Sequence, residues 1–433
     1  MLFGKRAPLL ARYDYRLMGG RGNYLEFSGG AAQSMKCFDA DFHASTRTMR
    51  LFTHDRGDFA SIRNERVLIY WPHGFGDLVG LGYILPLLEP TNELWLTRFG
   101  DDYVALMEGN EYVFPVFTGS PPAVCAGNGE SLKLRDLGMA YDTINGGEQK
   151  VVLPRSVYDT CRQRKIRNLL WSSYPETNGQ APFPYHSKAR NLAKHISPRS
   201  NHRILESGLP LTNSISFAVP PWLTAWVEAR LRNRTGFGSR KLCIISRNGY
   251  TSTGKNWGHR WREDLPTEKQ REGEECRDFM RLLLKRDHRW MFLSMEDRIF
   301  TNAHTLRSHD LNCYSYAELF GPIETSNVPF ALILKAIVNL ASLSIGVPTG
   351  PFHLTMAKPG LPTVGIWLEH SPTWYDEPKD CALHLIGSEV LKAHPQLLKD
   401  NCEGKNFGHR VITLPTRIIS GEQAMCAAES LLH

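Results

Sequence analysis

Residues Ile345-Gly-Val-Pro-Thr-Gly-Pro-Phe-His-Leu354 give the strongest indication of the fold. An apolar strand ending at Val347 leads into a tight turn at Pro348-Thr349-Gly350, and a short helix begins near Pro351. A second apolar strand, Pro362 to Trp367, follows. Such a turn aims backbone N–H groups and the positive end of a helix at one point, which suits a phosphate group. The stretch therefore predicts a parallel α/β sheet with an anion site at its edge.

A second glycine turn lies far upstream, in Trp71-Pro-His-Gly-Phe-Gly-Asp77. It follows an apolar run, and ligand sites of parallel α/β sheets lie at the carboxyl ends of the strands. Asp77 stands at such an end, where a carboxylate can accept a proton from an attacking hydroxyl group. The plain alternative is that Asp77 caps the following helix. The turn is not a G-x-G-x-x-G dinucleotide fingerprint, because position 79 is Val.

Strands and helices alternate along most of the chain at the spacing of doubly wound parallel sheets. The expected strands are 67–71, 93–97, 141–144, 241–245, 290–294, 343–347 and 362–367, and the expected helices are 78–88, 102–108, 220–231, 276–285, 329–340 and 421–432. The pattern predicts the α/β class, with two halves of similar size. The two glycine turns indicate an enzyme that holds a nucleotide diphosphate between these halves.

Changes in amino-acid composition and periodicity along the chain indicate its domain boundaries. Residues 1–65 are rich in Gly, Arg and aromatic residues, and we expect an N-terminal extension with a small β-rich element. Residues 66–231 are expected to form a first Rossmann-like domain that takes the acceptor, and residues 241–415 a second one that takes the nucleotide sugar. The basic connector 232–240 is the expected hinge, and residues 416–433 hold a closing helix.

Size and charge limit the function classes. A chain of 433 residues is too long for one core and indicates two or three domains. The formal net charge of +7 favours anionic partners such as nucleotide sugars, phosphorylated glycans or membrane surfaces. The excess is too diffuse to indicate nucleic-acid binding. We expect no integral membrane segment, since the apolar run 328–347 is interrupted by Lys335 and Asn339, and membrane contact would be peripheral, through basic patches.

The nine cysteines are scattered and include no C-x-x-C pair. They are expected to be reduced thiols of a cytoplasmic protein, because an odd count in a long chain does not suit a disulfide framework. No signal peptide is visible. No metal is expected, although a site built from Cys381, Cys402 and Cys426 stays open as a weak alternative, since it lacks the usual closely spaced pair.

Two further segments carry groups that suit a nucleotide. The polar loop 246–257 presents Arg247, Thr253 and Lys255 after a strand, and hydroxyl groups with a point-charge ammonium suit a diphosphate. Glu296 follows another strand and can accept hydrogen bonds from ribose hydroxyl groups. The alternatives are an ordinary exposed loop and an exposed surface carboxylate.

The turn of the opening stretch offers three groups of its own. Thr349 and Gly350 can present backbone amides to phosphate oxygens, and His353, on the first helical turn, can donate to the same group. The alternative for His353 is a packed structural histidine.

Taken in order, these motifs resemble glycosyltransferase family 9, the ADP-heptose glycosyltransferases of the GT-B superfamily, over residues 67–430. His73-Gly-Phe-Gly-Asp77 is similar to the family's N-terminal G-D turn, and Thr253-Gly-Lys-Asn-Trp257 to its Lys-x-Trp loop. Gly346 to Leu354 is similar to its Asp-Ser/Thr-Gly-x-x-His-Leu motif, and 361–378 to its closing strand and Trp-x-x-Pro loop.

The resemblance implies a GT-B fold, with two Rossmann-like domains facing across a cleft, and an inverting transferase that uses neither cofactor nor metal. Its donor would be a nucleotide sugar, of the ADP-heptose type, and its acceptor the hydroxyl group of a glycan, a protein or a small molecule. Asp77 would be the catalytic base. The implied donor-binding residues are Arg247, Thr253, Lys255, Glu296, Thr349, Gly350 and His353, and the implied acceptor-side residues are His73, Gly74 and Gly76.

One position departs from the family pattern. Pro348 stands where the family has an Asp that helps to hold the donor sugar, and proline also removes one N–H group from the turn. A donor sugar other than heptose therefore stays open. Two alternative functions also stay open, namely a GT-B-like nucleotide-sugar epimerase or hydrolase, and a nucleotide-sugar-binding protein without catalysis.

Overall fold

The computed structural model describes residues 50–52, 57–71, 74–98, 101–117, 155–171, 187–207, 209–235, 238–247, 257, 275–295, 309–321, 328–368, 371–393, 395 and 408–433. The predicted strand 141–144 and residues 1–49 and 53–56 of the predicted N-terminal extension lie outside these residues.

The first sheet has five strands, and every pair of neighbours is parallel. Its strands are β1 (Arg50–Phe52), β2 (Arg66–Tyr70), β3 (Glu93–Thr97), β4 (Val113–Pro115) and β5 (Asn168–Trp171), in the spatial order β1-β5-β2-β3-β4. The helices of this first unit are α1 (Phe75–Ile84), α2 (Asp101–Val104), α3 (Arg155–Arg164), α4 (Lys188–Ile196), α5 (His202–Glu206) and α6 (Pro221–Thr235), and its 3-10 turns are Phe59–Ser61, Leu85–Leu87, Ala105–Met107 and Arg199–Asn201.

The second sheet has seven strands, again with all neighbours parallel. Its strands are β6 (Lys241–Ser246), β7 (Trp290–Ser294), β8 (Cys313–Ser315), β9 (Ala341–Gly346), β10 (Thr363–Trp367), β11 (Ala382–Ile386) and β12 (Val411–Thr413), in the order β12-β11-β10-β9-β6-β7-β8. The helices of this second unit are α7 (Glu275–Arg286), α8 (Tyr316–Phe320), α9 (Phe330–Leu340), α10 (Gly350–Ala357), α11 (Pro372–Tyr375), α12 (Ser388–Ala393) and α13 (Gly421–Leu432), with a 3-10 turn at His309–Leu311.

These two sheets confirm the predicted α/β class, and two parallel sheets with helices between their strands are the architecture expected from the GT-B resemblance. The N-terminal boundary differs from the expectation. Strand β1 pairs with β5 at the edge of the first sheet, and Phe59 and Ile62 are buried in the apolar core. Residues 50–52 and 57–62 therefore belong to the first unit and not to an extension that ends at residue 65, because Phe52, Phe59 and Ile62 are part of that core.

The chain order within each sheet reverses at one strand pair. In the second sheet the chain runs from β6 outward to β7 and β8, and then from β9 outward in the opposite direction, so the reversal lies between β6 and β9. In the first sheet the corresponding reversal lies between β2 and β5. The loops at the carboxyl ends of such strands form the binding crevice of open α/β sheets. Both glycine turns follow one of these strands, since one comes after β2 and the other after β9.

Helix α9 joins the two units through an apolar interface. Its residues Phe330–Val338 are all buried, and the core around them includes apolar side chains of the first unit. The ring of Phe330 lies 6.0 Å from that of Phe75, and the ring of Trp226 on α6 lies 5.8 Å from that of Phe320. Because Phe330–Val338 are covered by apolar side chains from both units, α9 holds the two units together.

One charged residue lies inside this interface. Lys335 is fully buried in α9, and its Nζ donates to the backbone carbonyl of Glu108 at 3.1 Å. Burial lowers the pKa of Lys335 to about 7, although the Glu108 carboxylate opposes this shift. Burial also raises the pKa of the Glu108 carboxyl to about 7, against the effect of Lys335. A lysine here is tolerated because it has both a hydrogen-bond acceptor and an acidic neighbour.

Among the described helices, none combines the length and the apolar composition that a bilayer crossing requires. The closing helix α13 begins with a capping box formed by Ser420 and Gln423. It packs on α7, where the backbone of Gly421 approaches that of Phe279 so closely that an added Cβ would lie 2.6 Å from the Phe279 nitrogen.

Candidate functional site

The N-termini of α1 and α10 meet where the carboxyl ends of β2 and β9 face each other. A Cβ placed on Gly76 would lie 2.6 Å from His353 Cδ2, and a Cβ placed on Gly350 would lie 3.0 Å from Phe75 Cβ. The glycine turn of each sheet therefore touches the helix that follows the glycine turn of the other. Two helix N-termini at one point give a region of positive potential, which favours an anion.

Gly76 makes this approach feasible, and we expect Gly76→Ala to lower the free energy of unfolding by about 1–3 kcal/mol, the usual cost of overpacking. The clash is with the ring of His353, which is only 6% exposed and has little room to move. Urea denaturation would measure the loss.

Gly238→Ala is the matched control, since a Cβ there meets no atom within 4 Å. The double variant Gly76→Ala/His353→Ala should recover part of the loss, because it removes the clashing ring. A Gly76→Ala protein as stable as the Gly238→Ala protein would contradict this packing.

Asp77 lies in the first turn of α1 and is half-buried. Its Oδ2 lies 3.5 Å from the position that a Cβ on Gly74 would take, so its carboxylate lies beside the N-cap of the helix. Gly74 is the N-cap residue and offers no side-chain cap to α1. The carboxylate thus stands beside the turn, one residue from the glycine that touches His353.

Three residues expected at the donor site lie together at the start of α10. Thr349 is the N-cap, and its Oγ1 accepts from the Phe352 backbone nitrogen at 3.4 Å. His353 lies one turn into the helix, and its backbone nitrogen donates to the Thr349 carbonyl at 2.9 Å. Pro348, which replaces the family's Asp, is buried just before this cap. The structure therefore brings Gly74, Gly76, Asp77, Thr349, Gly350 and His353 into one place.

Arg247 follows β6 on the other side of the chain reversal and is 6% exposed. Its carbonyl accepts from the backbone nitrogen of Trp257 at 2.8 Å, so the residues at the two ends of the predicted phosphate loop lie side by side. The remaining predicted site residues, His73, Thr253, Lys255 and Glu296, lie outside the described residues, so their roles stay predictions.

His353 has a partner that the sequence analysis did not include. Its Nδ1 lies 2.9 Å from Oδ1 of Asp376, and both side chains are buried. Asp376 follows α11, in the segment that was compared only with the family's closing loop. The spacing of 23 residues between the two gives no periodic signal, so sequence reasoning had no means to pair them.

The next residue, Glu377, ties this segment to the first unit. Its carboxylate accepts from the Ser187 hydroxyl at 2.6 Å, from Arg190 Nη2 at 2.7 Å and from the Leu211 backbone nitrogen at 3.1 Å. The Arg190 and Glu377 side chains are 5% and 2% exposed. Asp376 is thereby placed between an anchor in the first unit and the histidine of the second.

The described residues include no group of three or more His, Cys, Asp or Glu side chains that is arranged to hold a metal ion. The six cysteines that the structure describes are all free thiols.

Comparison with solved structures finds several chains of similar shape, and two of them are described here. No protein-family model and no curated protein matches the chain. The glycosyl transferase family 9 protein from Veillonella parvula aligns with 13% identity and a TM-score of 0.48, over 87% of this chain and 99% of that one. The E. coli ADP-heptose LPS heptosyltransferase II aligns with 12% identity and a TM-score of 0.48, over 85% of this chain and 98% of that one. Both are described as sugar transferases.

Proposed function

We propose that this protein is a glycosyltransferase that moves a sugar from a nucleotide diphosphate donor to an acceptor hydroxyl group. The donor diphosphate would rest against the start of α10, on the amides of Thr349 and Gly350 and on His353. The acceptor hydroxyl would approach from the side of α1, near Gly74 and Gly76. Asp77 would take its proton as the oxygen attacks the anomeric carbon, which inverts the configuration of that carbon.

The observation that carries this proposal is the meeting of two helix N-termini from two parallel sheets. One N-terminus supplies a carboxylate at Asp77, and the other supplies an anion-binding turn with a histidine at its side. A base and an anion site on facing elements suit group transfer between a neutral nucleophile and an anionic leaving group. An anion-binding turn alone would suit a binding protein equally well.

The donor class follows from the same region. The anion cradle favours a diphosphate, and the motif resemblance favours an ADP-sugar of the heptose type as the donor to test first. The buried Pro348 supplies neither a carboxylate nor an N–H group to that sugar. Free thiols suit a cytoplasmic enzyme, in which such a donor would be available.

Nucleotide binding can be tested without knowing the acceptor. We expect a nucleoside diphosphate to raise the melting temperature more than the monophosphate of the same base, because its second phosphate group would also contact the start of α10. Ligand at about 100 times its Kd stabilises the folded protein by about 2.7 kcal/mol, so the difference can be measured. His353→Gln should reduce the difference between the two ligands. A panel of nucleotide sugars in the same assay would then identify the donor.

Turnover separates the remaining functions. With donor alone we expect little reaction, and with donor and an accepted hydroxyl compound we expect a product of inverted anomeric configuration by NMR. Rapid hydrolysis or epimerisation of the donor without an acceptor would contradict the transferase proposal and would indicate a nucleotide-sugar hydrolase or epimerase. Equal melting-temperature shifts for nucleoside mono- and diphosphates would contradict the proposed diphosphate site.

A further inference from the structure

A buried series of aromatic and imidazole groups lies behind His353. Trp367 Nε1 lies 2.9 Å from His384 Nδ1, and His384 Nε2 lies 3.4 Å from His409 Nδ1. His409 in turn hydrogen-bonds to the backbone of Asp376. The three side chains are at most 6% exposed. The series therefore runs from the second sheet to the residue that contacts His353.

The direction of each hydrogen bond follows from the first donor. An indole N–H group can only donate, so His384 Nδ1 must be an acceptor. A neutral His384 then carries its proton on Nε2 and donates it to His409 Nδ1. A neutral His409 likewise carries its proton on Nε2, which leaves that N–H group to donate to the Asp376 carbonyl. Trp367 thus determines the tautomer of two histidines.

Both histidines are neutral at pH 7. Burial lowers the pKa of His384 well below its ordinary value, and the nearby His409 and Lys379 lower it further. Burial also lowers the pKa of His409 to about 4, against the opposing effects of Glu377 and Asp376. Neutral rings with one proton each make the order of donors and acceptors unambiguous.

The space around this series is closed. A Cβ on Gly365 would lie 2.5 Å from His384 Nδ1 and 2.6 Å from Trp367 Nε1, so only glycine permits the bond between them. At the other end, Glu377 holds the adjacent backbone through the hydroxyl of Ser187 and the guanidinium of Arg190. The backbone at Asp376 is therefore held by the hydrogen bond from His409 and by the contacts of the adjacent Glu377.

Asp376 uses only one of its carboxylate oxygens. Oδ1 contacts His353 Nδ1, whereas Oδ2 is buried and has no hydrogen-bond partner among the described residues. A buried carboxylate with one oxygen unpaired costs stability, so a structural role alone is a poor reason for an Asp at this position. The contact with His353 is the reason that the geometry offers.

We propose that Asp376 is a positioning residue, which fixes the Nδ1–H tautomer and the orientation of His353 and is itself aligned by Trp367, His384 and His409. Donation from His353 Nδ1 to Asp376 leaves the ring edge with Cδ2 and Nε2 toward the start of α1, where Gly76 lies. Nε2 can donate to a phosphate oxygen only when the ring carries a second proton, because Nδ1 keeps the first one for Asp376. That this edge meets the donor diphosphate rests on the function proposed above, whereas the tautomers of His384 and His409 do not.

A double-mutant cycle tests whether Asp376 acts through His353. We expect Asp376→Asn to lower kcat by about 10–100-fold, by analogy with the loss seen when the carboxylate partner of a metal-binding histidine is removed. The KM for the donor should change less, since the amide still fills the site. In a His353→Gln background the same substitution should have almost no further effect. Asp380→Asn, an exposed Asp→Asn change four residues away, should leave kcat unaltered.

Histidine ¹⁵N NMR tests the tautomers without any turnover. We expect His384 and His409 to show the neutral Nε2–H form at pH 7, and His353 to show a protonated Nδ1 that is altered by Asp376→Asn. Trp367→Phe should change the tautomers of His384 and His409. Trp290→Phe, which removes an equally buried indole elsewhere in the same sheet, should not.

Two results would overturn the proposal. One is a pair of kcat losses that multiply in the Asp376→Asn/His353→Gln double variant, which would show independent roles. The other is a His353 spectrum that Asp376→Asn leaves unchanged. If the wild-type protein transferred no sugar from any donor, the proposed function would fail, while the NMR comparison would still decide the positioning role.

Discussion

Asp77→Asn is expected to lower the rate of sugar transfer by about 10²–10⁴-fold, the contribution of a general base. The amide fills the same half-buried volume at the start of α1 but cannot accept the proton of the acceptor hydroxyl. Nucleoside diphosphate binding should be retained, because the anion site belongs to α10. Transfer kinetics and melting shifts, measured on the same preparation, would show the two effects separately.

The matched control is Asp278→Asn, which also changes an acidic residue in the first helical turn, in α7 of the second unit. Both substitutions weaken a helix-dipole interaction worth about 0.3–1 kcal/mol, so a loss of activity in the Asp77 variant alone cannot come from that source. Transfer at the wild-type rate by Asp77→Asn would remove Asp77 from the mechanism and leave the fold description intact.

Arg190→Met is expected to lower the free energy of unfolding by about 3–5 kcal/mol, because it leaves the Glu377 carboxylate buried without its counter-ion. Arg190 also donates to the carbonyls of Leu205 and Leu209, so α5 and the chain that follows it each lose one hydrogen bond as well. Equilibrium denaturation in guanidinium chloride, followed by circular dichroism, would measure the loss.

Arg281→Met provides the comparison, since Arg281 pairs with Asp278 on an exposed helix surface and such pairs contribute about 0–1 kcal/mol. The double variant Arg190→Met/Glu377→Gln should be more stable than Arg190→Met, because it removes the isolated charge. If Arg190→Met proved no more costly than Arg281→Met, the buried contact between the two units would be absent in solution.

Several strands of both sheets were predictable because they are continuous apolar runs. The predictions 93–97 and 290–294 match β3 and β7, and 241–245 and 362–367 differ from β6 and β10 by one residue. Central parallel strands are buried on both faces, and this produces the clear signal. Strands of three or four residues, such as β4 and β12, carry too few apolar positions to be recognised.

The site was predictable where it depends on local chain geometry and unpredictable where it depends on contacts between distant segments. A glycine turn after an apolar strand is visible in sequence, which is how Asp77, Gly350 and His353 were selected. The ion pair of Arg190 with Glu377 spans 187 residues, and Arg190 belongs to none of the motifs found in the sequence. Strand β5 was missed because its four residues carry too few apolar positions to be recognised.

The buried amine of Lys335 makes the joint between the two units chemically observable. Its side chain is fully buried, so no acylating reagent reaches the amine while α9 stays covered. Acylation at this position therefore requires the two halves to part, and the labelling rate reads out how often they do so. Mass spectrometry of the peptide that contains Lys335 would measure the rate at which the two units separate, with or without a known substrate.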